Sequence, residues 1–152
     1  MNQPRQICTF SLGDQLFGID VMNVQEVVRY QEMTEVPLAP PEIKGLINLR
    51  GRIVTAIDLR TRLDMEPLVR EEPPQNVIVH RRNDSEVVSL LVDEIGDVLY
   101  VDEDAFERAP ETLRGKWREL IAGTYKLEKR LLLVLDVEKT LDVHCELSET
   151  TG

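Results

Sequence analysis

The chain has 152 residues, 42% of them hydrophobic, and a net charge of −10, which suits one domain or two small lobes with a sizeable core. The acidity excludes non-specific nucleic-acid binding and attraction to anionic membrane surfaces, since both need clustered Lys and Arg. Neither an apolar signal-peptide core nor an apolar run near ~20 residues is present, so a cytoplasmic chain without membrane insertion is expected.

The first elements follow a short-strand pattern. Ile7 to Leu12 alternates and predicts a strand, Gly13-Asp14 a turn, and Gln15 to Ile19 the return strand. Asp20 is a good N-cap. Val21, Val24, Val27 and Val28 follow i, i+3, i+6, i+7, which predicts a short helix over Val21 to Val28. Val36 predicts the start of a short strand before Pro37. Gly45 to Leu49 predicts a strand with Ile47 and Leu49 on one face. Arg50-Gly51 is a tight turn, Arg52 to Ile57 the return strand, and Asp58 the cap of a helical turn over Leu59 to Leu63.

Residues 64–75 hold three prolines and five charges and read as a linker. Asn76 to Arg81 predicts a strand, Asn83-Asp84 a turn, and Glu86 to Val92 a strand buried on both faces. Asp93 to Val101 corresponds to the Asp20 region, with Val92, Ile95, Val98 and Leu99 matching Val21, Val24, Val27 and Val28, although Gly96 disfavours helix there. Asp102 to Lys116 reads as a polar loop with a helical turn. Trp117 to Leu120 leads into a final hairpin, and residues 144–152 form a polar tail. About ten short strands with few helices predict an all-β chain of small barrels.

An internal repeat organises this pattern. Ile43 to Leu63 (IKGLINLRGRIVTAIDLRTRL) aligns without a gap to Ile121 to Leu141 (IAGTYKLEKRLLLVLDVEKTL). Six pairs are identical: Ile43/Ile121, Gly45/Gly123, Leu49/Leu127, Arg52/Arg130, Asp58/Asp136 and Leu63/Leu141. Chance gives roughly one. Two halves on one plan follow. Barrels of about 70 residues are marginal alone, so the halves are expected to share a packed interface. The two copies differ at the turn, where Asn48-Leu49-Arg50-Gly51 stands against Lys126-Leu127-Glu128-Lys129. Asn48 and Arg50 are therefore not needed for chain reversal; they belong either to a solvated face or to a contact surface.

No catalytic constellation emerges. His80 lies in a strand, and His144 beside Cys145 cannot pair with it in extended chain. Walker A, GxGxxG and calcium-loop spacings are absent, as are metal-ligand clusters. Cys8 and Cys145 read as free thiols, with a terminal-to-terminal disulfide as the alternative. Binding is the remaining class, through apolar strands and an inter-lobe groove suited to a peptide or helix.

Asn48-Leu49-Arg50-Gly51 followed by Ile53 to Arg60 resembles the CheW-type coupling proteins of bacterial chemotaxis. Phe10 to Asp14, Phe17 to Asp20, Val24 to Val27, Leu91 to Asp93, Asp97-Val98 and Arg130 to Leu141 fit the same pattern. The resemblance spans roughly residues 6–143. It implies two SH3-like five-stranded β-barrels packed together, with a first lobe near 15–70, a second near 75–143 and the N-terminal strand shared between them. It also implies a non-catalytic adaptor without cofactors. Its partners would be the regulatory domain of a CheA-type histidine kinase and the cytoplasmic tips of methyl-accepting receptors, with ring assembly among such domains and recruitment to receptor arrays. A regulatory module of such a kinase and an adaptor of a non-flagellar pathway share the pattern; Met1 and the polar tail favour the stand-alone adaptor.

Val24, Glu26, Gly45 and Arg50 carry over from the family's motifs. Val28, Asn48 and Gly51, in the same two segments, complete the candidate partner-binding set. Val24 also fits a core position, Glu26 a solvated charge, and Gly45, which recurs as Gly123, a structural role. The second turn departs from the family, which commonly has a Gly there.

Overall fold

The structure, a computed structural model, describes residues 4–67, 72–81 and 86–143. The chain opens with a hairpin of β1 (Pro4–Leu12) and β2 (Gln15–Asp20), turning at Gly13-Asp14. Asp20 caps as expected, its carboxylate accepting from the Met22 amide, but the helix it opens is one 3-10 turn, Val21–Asn23. The rest of the predicted helix is a strand, β3 (Val24–Val28). Valine loses rotamer freedom in a helix and packs well on a pleated surface, and here that preference prevails over the spacing. The spacing itself misleads because β3 alternates between half-buried and exposed positions with Val27 on the exposed face and Glu26 on the half-buried one, so its apolar residues do not follow the period of two.

The next short strand is β4 (Met33–Thr34), while Val36, expected to begin one, lies outside any strand. The hairpin of β5 (Ile43–Leu49) and β6 (Arg52–Asp58) follows, then α1 (Leu59–Arg62), capped by Asp58. Then come β7 (Gln75–His80), β8 (Val87–Val92) and β9 (Glu94–Asp102). The polar loop contains a 3-10 turn (Glu103–Ala105) and ends in α2 (Gly115–Leu120), a helix where a plain lead-in was expected. The chain closes with β10 (Ile121–Lys126), β11 (Leu131–Leu135) and α3 (Val137–Leu141), capped by Asp136. The Asn83-Asp84 turn, the 144–152 tail, and with it any pairing of Cys145, lie outside the described residues; Cys8 is a buried free thiol.

The strands build two SH3-like barrels. One sheet runs β10-β11-β2-β1-β9 and the other β3-β7-β8-β6-β5-β4, so the second has six strands if the two-residue β4 is counted. Neither sheet is a continuous half of the chain. Each takes the last hairpin of one half and the first hairpin of the other, joined through a parallel pair. Thr55 lies opposite Val88 where β6 meets β8, and Leu133 opposite Phe17 where β11 meets β2. These pairs are equivalent by the repeat, as are Val24↔Val79 and Phe10↔Ile95. The symmetry extends to the irregularities. The β5–β6 ladder slips between Ile43 and Gly45, and the β10–β11 ladder between Ile121 and Gly123.

Each barrel has a small core of its own. Ile47, Val54 and Ala56 pack with Ile78 and Leu91 in one; their counterparts Tyr125, Leu132 and Val134 pack with Ile7 in the other. The largest cluster belongs to neither. Phe10, Phe17 and Leu133 from one sheet meet Ile57, Val79 and Leu90 from the other, together with Leu59, Leu63, Val137 and Leu141 of the helical turns. The shared interface expected from the size of the halves is thus the principal core.

Candidate functional site

The candidate residues lie on two segments that the fold brings to one end of the six-stranded barrel. The β5–β6 hairpin turns on two residues, with Leu49 opposite Arg52. Both central residues have positive φ, Arg50 at 52° and Gly51 at 84°, the geometry of a type I′ turn. Gly51 takes this without cost, and nothing lies within 4 Å of where its Cβ would be. Arg50 does not, since the left-handed region costs a side-chain-bearing residue about 1–2 kcal/mol. The turn is held by Asn48, whose Oδ1 accepts from the Gly51 amide at 2.8 Å.

The left-handed backbone at Arg50 throws its guanidinium across the barrel mouth to β3, where it ion-pairs with Glu26. Glu26 Oε2 also accepts from Gln25 Nε2 at 3.1 Å. The bulge in β3 carries Gln25 as its extra residue, which turns Glu26 towards the hairpin. Arg50 lowers the pKa of the Glu26 carboxyl, with a smaller contribution from Gln25. The Arg50 side chain remains 67% exposed, against 26% for Glu26, so most of the guanidinium fork faces outward.

The structure therefore joins Glu26, Asn48, Arg50 and Gly51 in one exposed constellation. The other three candidates face inward. Val24 is half-buried against the main core, and Val28 against the barrel's own core. Gly45 is buried, and a Cβ there would come within 2.7 Å of the Thr34 carbonyl oxygen on β4. Gly123 is the same device in the other half, its Cβ position lying 2.5 Å from the Glu107 carbonyl oxygen.

Ile53 was not among the candidates. It lies opposite Asn48 in the ladder, is 63% exposed, and lines a groove of about 490 Å³ with Asn48, Leu46, Thr34 and Gln31. Its signal was in the alternation: Val54 and Ala56 point inward, which sends Ile53 out. Among the described residues no cluster of three His, Cys, Asp or Glu side chains is placed to hold a metal.

Residues 6–144 match the profile of the CheW-like domain. The chain belongs to the CheW-like family. It is 34% identical over 137 residues to a chemotaxis protein CheW of Klebsiella aerogenes, covering 90% of this chain and 81% of that one. It is 32% identical over 134 residues to a probable chemotaxis protein CheW of Rhizobium etli, covering 88% and 85%. The crystal structure of the scaffolding protein CheW from Thermoanaerobacter tengcongensis superposes with a TM-score of 0.83 at 28% identity, over 93% of this chain and 95% of that one. Against that background, the CheW-like fold here is a scaffold of two barrels, and its exposed Arg50 hairpin is a feature that the second barrel does not repeat.

Proposed function

We propose that this chain is a non-catalytic coupling adaptor of a chemotaxis-type pathway. It binds the regulatory domain of a CheA-type histidine kinase and the cytoplasmic tip of a methyl-accepting receptor at once. Glu26, Asn48, Arg50, Gly51 and the neighbouring Ile53 form part of the contact surface, with Val24, Val28 and Gly45 supporting its shape from below.

The observation that carries this reading is the Arg50 turn. An exposed arginine held in a costly backbone conformation, on a hairpin whose twin reverses direction without it, is not explained by folding. A guanidinium fork suits a carboxylate or a run of backbone carbonyls on a partner helix or strand. No helix among the described residues is long and apolar enough to cross a membrane, and the adaptor reaches the receptor array through its partners.

The test is a calorimetric titration of the chain with the kinase regulatory domain, then with a receptor-tip fragment, then with both. Saturable binding to each and a ternary complex are expected. Binding to neither fragment from the same organism overturns the reading.

A further inference from the structure

The two barrels meet through apolar packing, which fixes how closely they lie. The burial term itself has no direction, so hydrogen bonds and ion pairs across the joint add a directional restraint to that of the interdigitated side chains. Several directional contacts across the joint run through α1, a helix of only four residues that follows β6 of the six-stranded barrel, while the Ile95 amide to Gln75 Oε1 and Arg81 to the Leu141 carbonyl cross it elsewhere. Arg60 makes a two-pronged ion pair with Asp93, Nε to Oδ1 at 2.8 Å and Nη2 to Oδ2 at 2.6 Å. Asp93 sits where the chain crosses from one sheet to the other, between β8 and β9. Its Oδ2 also accepts from the Gly13 amide at 2.7 Å, which ties in the β1–β2 turn of the five-stranded barrel.

Two residues further on, Arg62 is buried and donates to the end of α3, to the carbonyls of Thr140 at 3.0 Å, Lys139 at 2.8 Å and Asp142 at 3.2 Å. The carbonyls of a helix C-terminus carry partial negative charge and suit a buried cation. The Leu63 carbonyl, at the C-cap of α1, accepts from Trp117 Nε1 of α2 at 3.0 Å. Three successive contacts thus run from one barrel's helical turn to elements of the other. The repeat does not require them, since α3 carries Glu138 and Thr140 where α1 carries Arg60 and Arg62.

We propose that α1 is the joint that fixes the angle between the barrels, with Arg60 and Arg62 as positioning residues. An adaptor that holds two partners at once transmits only what its own frame keeps fixed. Resting on the adaptor reading, the further consequence is that Arg60 and Arg62 support the ternary complex while touching neither partner.

The experiment uses the full chain with Cys145→Ser and spin labels at Lys44→Cys and Tyr100→Cys, exposed positions on opposite barrels and outside the proposed contact surface. Cys8 is buried, and desolvation raises its thiol pKa, which keeps it out of the labelling reaction. The reference chain is expected to give one narrow distance distribution. The double variant Arg60→Met with Asp93→Asn removes both charges and keeps an acceptor for the Gly13 amide. It is expected to lose the narrow peak while amide protection in β5–β6 and β10–β11 persists; Arg62→Met is expected to act likewise. Affinity for each partner alone stays unchanged, whereas their cooperativity, about 5- to 150-fold where two sites are coupled, falls towards one. An unchanged narrow distribution in the folded variants overturns the proposal. If the double variant does not fold, Arg60→Lys replaces it with the same criterion. If the reference chain binds neither partner, the adaptor reading fails, and the distance distribution still decides the joint.

Discussion

Arg50 and Glu26 stand near each other only because of two local departures from regular structure, a type I′ turn and a bulge. The consequence is electrostatic. Because the Glu26 carboxyl titrates below the usual glutamate range, the pair's contribution is complete at neutral pH. It is lost as pH falls through the depressed folded-state pKa. Carbon-detected NMR of the Glu26 carboxyl should follow this directly, with the midpoint rising back towards the ordinary value in Arg50→Ala. An unmoved midpoint means that the pair does not form in solution. Arg50→Glu sets like charges side by side on an exposed turn, so the fold should survive while partner binding weakens by about 2 kcal/mol, roughly thirtyfold in Kd. A folded Arg50→Glu chain with undiminished affinity for kinase and receptor fragments removes the hairpin from the contact surface. Asn48→Ala should act differently, costing about 1 kcal/mol of stability through the lost bond to the Gly51 amide, read from urea unfolding.

At the scale of elements, Gly45 and Gly123 make the repeat a physical statement. Each lies at the bulge of its hairpin, and each lets the preceding segment, Thr34 or Glu107, approach within what would be contact distance of a Cβ. Gly45→Ala and Gly123→Ala should each destabilise by about 1–3 kcal/mol through overpacking against backbone, with the denaturant midpoint as the measure. A neutral Gly45→Ala that nonetheless abolished partner binding would reverse the assignment and make Gly45 a contact residue. This pairing was legible without coordinates, because identical residues at matched positions betray identical local geometry. So were the Asp58 and Asp136 caps, whose side chains accept from the Arg60 and Lys139 amides. The segment after Asp20 was not legible: a bulged strand with alternate residues half-buried leaves apolar spacing that also fits a helix. For the same reason Val24 and Val28 read as one helical face, although they pack into two different cores. The Glu26–Arg50 contact escaped sequence reasoning because it joins the edge strand β3 to the β5–β6 turn, which are not neighbours in the sheet.

At the scale of the whole molecule, the repeat gives two equivalent barrels but not which strands each contains. Sequential lobes near 15–70 and 75–143 were the simplest division. The sheets instead exchange their first hairpins, β1–β2 for β7–β8. A sequence repeat is blind to this exchange, because the same local pattern supports a hairpin folded onto its own half or onto the other. The exchange makes a strong demand on stability. Residues 1–70 alone would hold β5 and β6 without the parallel neighbour β8, and β1 and β2 without β9 and β11. Residues 71–152 would lack the reciprocal set. Each fragment would then bare unpaired strand edges and most of the shared core, and a half of this size has little apolar surface to spare. We expect each fragment alone to show no cooperative unfolding transition. An equimolar mixture should recover the near-ultraviolet circular dichroism of the intact chain, since the missing partners are non-covalent. In the intact chain, Phe17→Ala should cost about 3–5 kcal/mol and lower amide protection in β5–β6 as much as in β10–β11, because its ring lies in the core common to both sheets. Independent folding of either fragment, or protection lost in one barrel only, would mean that the exchanged hairpins do not bind the halves into one cooperative unit.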